Sequence, residues 1–71
     1  MKNGKTNTRF INVTRSYQEY HRLTLRQTAK AIGISPGELS RIWKEIHNPS
    51  IYTLLRTAKR IDVPLKTLLP H

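Results

Sequence analysis

From Phe10 onward, apolar residues return every third or fourth position and almost never every second. That is the rhythm of helices buried along one side, not of strands. Phe10, Val13, Tyr17 and Tyr20 fall at i, i+3, i+7 and i+10, which predicts a first helix from Phe10 with both tyrosines in its core or rim. Its weak point is Asn12, Val13 and Thr14, all poor helix formers. Thr24 stands three residues before Gln27, the spacing of a capping box, so a second helix runs from Leu25 to about Ile32, and Gly33 ends it in a left-handed turn. Ser35 opens the third, with Pro36 at its first position and Glu38 completing a second box. Asn48, Pro49 and Ser50 break that helix, and Ser50 caps a fourth carrying Ile51, Leu54, Leu55, Ala58 and Ile61. After Asp62, Val63 and Pro64, a short fifth helical turn holds Leu65, Leu68 and Leu69. The expectation is an all-α domain of five helices with no sheet and no internal repeat.

The third helix is two-sided. On a wheel of 100° per residue, Leu39, Ile42, Trp43 and Ile46 share one side, while Gly37, Ser40, Arg41 and Lys44 share the other. One face is to be buried and one offered. Gly37 lets another surface approach closely, and the offered face ends in two long cations.

Charge narrows what that face meets. Thirteen Lys and Arg against four Asp and Glu give the 71-residue chain a net charge of +9. An excess of that size in one small domain repels itself unless a polyanion is the partner. Residues 1–9 are polar and read as a basic arm, residues 10–71 as the folded domain. Lys2, Lys5 and Arg9 lie in the arm, which either wraps into a groove or stays disordered. The chain has no cysteine, residues 1–9 contain no apolar stretch of a signal peptide, and no apolar run approaches a membrane span. A soluble, cytoplasmic domain is the default expectation. His21, His47 and His71 have no ligand spacing, and Glu19, Glu38, Glu45 and Asp62 are too scattered for paired-carboxylate chemistry. No metal, cofactor, small-molecule ligand or catalytic constellation is expected.

Two helices joined by a tight glycine-containing turn, the second with an exposed basic face, form the layout of a helix-turn-helix unit. A helix about 10–12 Å wide fits the major groove of duplex DNA. Arg41 is the candidate base reader, because its planar fork can donate two bonds to guanine. Ser40 reaches a base or a phosphate, and Lys44 a phosphate. The alternative for both cations is a solvated face.

Residues 23–69 resemble the domain of phage repressors and Cro proteins, the Cro/C1 or Xre type of helix-turn-helix. The matching marks are Leu23 and Thr24, Ala29, the turn of Gly33, Ile34 and Ser35, then Leu39, Ser40, Arg41 and Ile42, then Asn48, Pro49 and Ser50, then Leu54, Leu55, Ala58, Ile61 and Val63. The resemblance implies a compact five-helix, lambda-repressor-like fold whose third helix, about 36–46, docks in the major groove. Implied base contacts fall on Gly37, Ser40, Arg41 and Lys44. Implied phosphate contacts fall on Thr24, Leu25, Arg26, Ser35, Pro36, His47, Asn48 and Ser50.

The departures from the family pattern carry expectations of their own. Leu25 stands where many members have Gln or Ser, so that phosphate contact is either missing or made by a backbone N–H. Thr28 replaces a core leucine. Trp43 replaces a glutamate that pairs with a helix 1 arginine, so a contact near Gln18 is expected, with Trp43 in the core rather than offered as a stacking platform. Glu45 replaces a glycine, so helix 3 is expected to run on through Ile46 to near His47. Tyr52 is open to a phosphate, a second subunit or solvent. Arg56, Lys59 and Arg60 mostly face solvent, with one phosphate contact at most.

The resulting expectation is a sequence-specific DNA-binding transcriptional regulator, a repressor of phage or mobile-element origin. It would bind a pseudo-palindromic operator as a homodimer, because one small module rarely reaches the affinity of a specific site. Its interface is looked for at Leu65, Leu68 and Leu69, unless these only close the core. The alternatives are a protein-interaction module, such as an antitoxin or bridging factor, and a DNA-bending recombination directionality factor.

Overall fold

The computed structural model describes residues 7–70. Four α-helices and one 3₁₀ turn follow one another: α1 Thr8–His21, α2 Leu25–Ile32, α3 Pro36–Trp43, α4 Ile51–Ile61 and the 3₁₀ turn Leu65–Thr67. The described residues contain no strand. The expected fifth helix is only that turn, because Pro64 precedes it and the single bonds Thr67 N to Pro64 O and Leu68 N to Leu65 O complete it.

α1 begins earlier than the apolar stripe indicates. Asn7, expected in the arm, is its buried N-cap, and Thr8 and Arg9 form its first turn. The reason is tertiary. The Asn7 side chain accepts from Phe10 N at 3.0 Å and donates to Leu68 O at 2.9 Å, while its backbone N–H reaches Asn48 Oδ1 at 3.0 Å. Partners 41 and 61 residues away thus convert an arm residue into a joint between the start of α1, the α3–α4 loop and the C-terminal turn. Thr14 is tolerated mid-helix because its hydroxyl donates back to Phe10 O at 2.7 Å. Tyr20, expected in the core or rim, is 84% exposed and meets only His21 edge to face among rings. Lys2 and Lys5 lie outside the described residues.

Every helix stops on a left-handed residue, and three of these residues are not glycine: Arg22, Glu45 and Asp62, beside Gly33. At α3 the stop overturns the expected continuation to Ile46. Glu45 adopts φ 65°, its N–H donates to Ile42 O at 2.9 Å, and Ile46 N donates to Arg41 O at 3.0 Å. This is the bond pattern of a glycine stop without the glycine. The chain must turn there to bring Asn48 back to Asn7. Ile46, placed on the buried side by an unbroken helix, is therefore 70% exposed.

Phe10, Ile11, Ala29, Ile32, Leu39, Ile42, Leu54, Ala58 and Leu68 make one core, closed by half-buried residues that include Leu65 and Leu69. α2 lies centrally, packed on α3 and α4 and touching α1. Leu68 is fully buried, so the tail's leucines close the core instead of presenting a partner surface.

Candidate nucleic-acid interface

Ser35 caps α3 by accepting from Glu38 N at 3.1 Å, without the return bond from the Glu38 side chain that a full box needs, and Pro36 occupies the first turn without wasting a donor. Leu39 and Ile42 are buried, and Gly37, Arg41 and Lys44 are exposed with Ser40 half-buried beside them. The four residues expected to meet bases thus lie together on the side away from the core. Helical side chains lean toward the N-terminus, and Arg41 follows this: its Nη1 lies 3.6 Å from where a Gly37 Cβ would stand. The guanidinium is therefore presented over the first turn of α3.

The back of α3 is pinned to α1. Trp43 Nε1 donates to Thr14 Oγ1 at 2.9 Å, and the Arg15 guanidinium sits over the indole at 4.9 Å from the ring centroid. The expected partner near Gln18 is thus corrected to Thr14 and Arg15, one turn earlier. The tryptophan keeps an arginine of helix 1 but meets it through its π face, worth about 0.5–1 kcal/mol at an exposed site.

The implied phosphate residues divide by what their side chains already do. Thr24 and Gln27 form the full capping box of α2, with Thr24 N donating to Gln27 Oε1 at 2.9 Å and Gln27 N to Thr24 Oγ1 at 3.1 Å. Ser35 and Ser50 cap α3 and α4 through their hydroxyls. Leu25 packs its side chain against the core. Asn48 Oδ1 accepts from the Asn7 backbone N–H. Arg26 and His47 are exposed and Pro36 is half-buried. Arg9 belongs to α1, not to an arm, and its Nη1 points to Lys66 O at 3.5 Å, beside the 3₁₀ turn.

One cation expected mostly in solvent has a structural partner. Arg56 Nη1 donates to Gly33 O at 2.9 Å, and Arg60 lies beside the same glycine. The helix-turn-helix turn is braced from α4 at the C-terminal end of α2, where a cation also opposes the negative helix pole. The two residues lie 23 apart, and no local pattern announces the contact.

No helix of the described residues is long and apolar enough to cross a membrane, and no group of three His, Cys, Asp or Glu among them is placed to hold a metal.

A short α2, a turn of left-handed glycine and a two-sided α3 define a helix-turn-helix domain. The sequence profile of the helix-turn-helix family matches residues 21–68, about two thirds of the chain. The protein belongs to that family, in its Cro/C1, Xre-like branch. The family is a class of DNA-binding regulatory domains whose partner is double-stranded DNA. No curated protein and no solved structure gives a significant match to the chain.

Proposed function

We propose that the protein is a sequence-specific transcriptional regulator, a repressor carried by a phage or other mobile element and acting in the cytoplasm at the nucleoid. It inserts α3 into the major groove. The observation that carries this reading is the division of α3 itself: Leu39 and Ile42 buried, Gly37, Arg41 and Lys44 exposed on the opposite side. Arg41 reads a base edge, Ser40 and Gly37 line the approach, and Lys44 reaches the edge of the groove and its phosphate. Arg26, Pro36 and His47, with backbone donors at Leu25, Ser35, Asn48 and Ser50, hold the DNA backbone, and Thr24, whose own N–H is taken by Gln27, offers its exposed side of the α2 start.

The homodimer reading moves from the tail leucines to α4. Ile51, Tyr52 and Leu55 are exposed along one side of that helix, and Ile46 in the preceding loop is exposed as well. A second copy seated there brings two recognition helices onto one face of a duplex. The domain measures 32 × 23 × 19 Å, compatible with half-sites one helical turn, about 34 Å, apart. The same apolar patch supports the second reading, an antitoxin or bridging factor whose main partner is another protein. A bending or directionality factor shares the DNA contacts and differs only in outcome.

Selection of bound duplexes from a random pool tests the proposal. The expected motif is a pseudo-palindrome with one guanine per half-site whose preference disappears in Arg41→Ala. Recovery of no motif, with a protein partner bound tightly through Tyr52, would decide for the second reading.

A further inference from the structure

Between the first turns of α1 and the 3₁₀ turn lies a groove of about 460 Å³, lined by Arg9, Asn12, Val13, Lys66 and Thr67. Arg9, Asn12 and Val13 follow i, i+3 and i+4 and so share one face of α1. Thr14 and Arg15 face the other way, onto Trp43 of α3. At 100° per residue, the centre of the first set stands about 160° around α1 from the midpoint of the second. α1 thus separates the groove from α3, and a duplex against the exposed face of α3 leaves the groove open.

Arg9 and Lys66 are exposed, and the 3.5 Å approach of Arg9 Nη1 to Lys66 O keeps the guanidinium beside the residue that carries the second cation. Among the described residues no carboxylate lines the groove, so two like charges are held together with nothing of opposite sign between them. Half-buried Val13 and Thr67 supply methyl groups on the floor, and exposed Asn12 supplies an amide that both donates and accepts. A phosphate backbone offers acceptors only and has no use for the Asn12 oxygen. A peptide backbone offers donors and acceptors, and acidic side chains complement the two cations. A second copy of the chain does not supply such a segment, because its four acidic residues, Glu19, Glu38, Glu45 and Asp62, stand singly along the sequence. We infer that this groove docks an acidic, extended peptide segment of another protein. Arg9 and Lys66 take its carboxylates, Asn12 pairs with one of its peptide units, and Val13 and Thr67 seat a small apolar side chain between them. The site goes beyond DNA recognition: it lets the chain hold a protein partner while α3 lies on a duplex.

The test is a random-peptide display selection on the full chain, run once with the chain free and once with it saturated by a mixed-sequence duplex that covers the α3 face. Both selections are expected to enrich peptides that pair Asp or Glu with a small apolar residue. A fluorescein-labelled copy of the enriched peptide is then followed by anisotropy at an ionic strength of about 0.15 M, where charge effects reach only about 8 Å. Lys66→Glu is expected to weaken binding about tenfold or more. Asn12→Ala is expected to weaken it about fivefold, the share of one hydrogen bond, with Tm unchanged or higher because alanine is the better helix former. Lys59→Glu, the same charge reversal at an exposed position of α4, is expected to leave binding unchanged. Enrichment of no peptide, enrichment without acidic residues, Asn12→Ala binding like the wild type, or equal losses in Lys66→Glu and Lys59→Glu overturns the site. A peptide that binds the free chain and is excluded by the duplex overturns it as well, since its site is then the DNA face. If the chain binds no duplex, the DNA reading falls, and the selection on the free chain still decides the groove.

Discussion

Replacing Gly33 by alanine adds one methyl group at the point where three features of the fold meet. The residue sits at φ +87°, a region that costs an L side chain roughly 1–2 kcal/mol. The alanine recovers about 0.5 kcal/mol by restricting the unfolded chain. Its Cβ would stand 2.6 Å from Arg56 Cδ, closer than carbon atoms approach, and a tight 3.1 Å from Arg56 Cγ. The arginine cannot yield freely, because its far end is bound to Gly33 O. Moving it aside gives up that bond, worth about 1 kcal/mol at an exposed site. The sum is a loss of about 2 kcal/mol, against a total of roughly 4–10 kcal/mol for a domain of this size. Urea unfolding followed by the single tryptophan, Trp43, reads it directly, since the indole reports the α1–α3 contact. With a slope of about 1 kcal/mol per molar urea, the midpoint falls by about 2 M. Arg56→Ala alone should cost about 1 kcal/mol, and the double variant less than the sum, because the methyl group then meets open space. Gly33→Asn separates the terms, as Asn accepts the left-handed region yet still carries the Cβ. A Gly33→Ala loss below about 0.5 kcal/mol, or strict additivity with Arg56→Ala, would refute the account of the turn as braced from α4.

Three further outcomes follow from the same fold. Arg22 ends α1 at φ 56° with its side chain exposed; Arg22→Gly removes the strain at some entropic cost, and a thermal melt should show a gain of about 0.5 kcal/mol, or a few degrees in Tm. Thr57 is fully buried with a hydroxyl that bonds nothing. Thr57→Val keeps the shape and should stabilise by about 1 kcal/mol, whereas Thr14→Val, which removes the bonds to Phe10 O and Trp43 Nε1, should destabilise by about 1–2 kcal/mol in the same melt. Gly37→Ala meets only Arg41 Nη1, at an ordinary 3.6 Å, and should fold at least as stably as the wild type. It should nevertheless shift the base preference in a selection experiment, and the shift should vanish in an Arg41→Ala background if the methyl group acts by displacing the guanidinium.

Local signals carried the helix starts. Thr24, Ser35 and Ser50 each cap the helix they precede, since a hydroxyl placed next to free N–H groups needs no distant partner to act. Stripe and wheel placed Phe10, Leu39, Ile42, Leu54 and Ala58 inside and the Gly37, Arg41 and Lys44 face outside. Where α1 begins and α3 ends was not legible in this way. Asn7 became a cap and Glu45 a left-handed stop because Asn48 and Leu68, remote in sequence, arrive beside Asn7. A periodic pattern cannot see such a closure.

Taken alone, then, the amino-acid order determined the all-helical class, the caps of α2, α3 and α4, and the amphipathic division of α3, because these follow from contacts within one or two turns. Only the tertiary structure decided that Trp43 bonds Thr14 and carries Arg15, that Arg56 braces Gly33, that Leu68 belongs to the core, and that Ile46, Ile51, Tyr52 and Leu55 face outward. Those outcomes depend on how far each helix runs before the chain turns back, and that length is set by bonds between residues far apart along the chain.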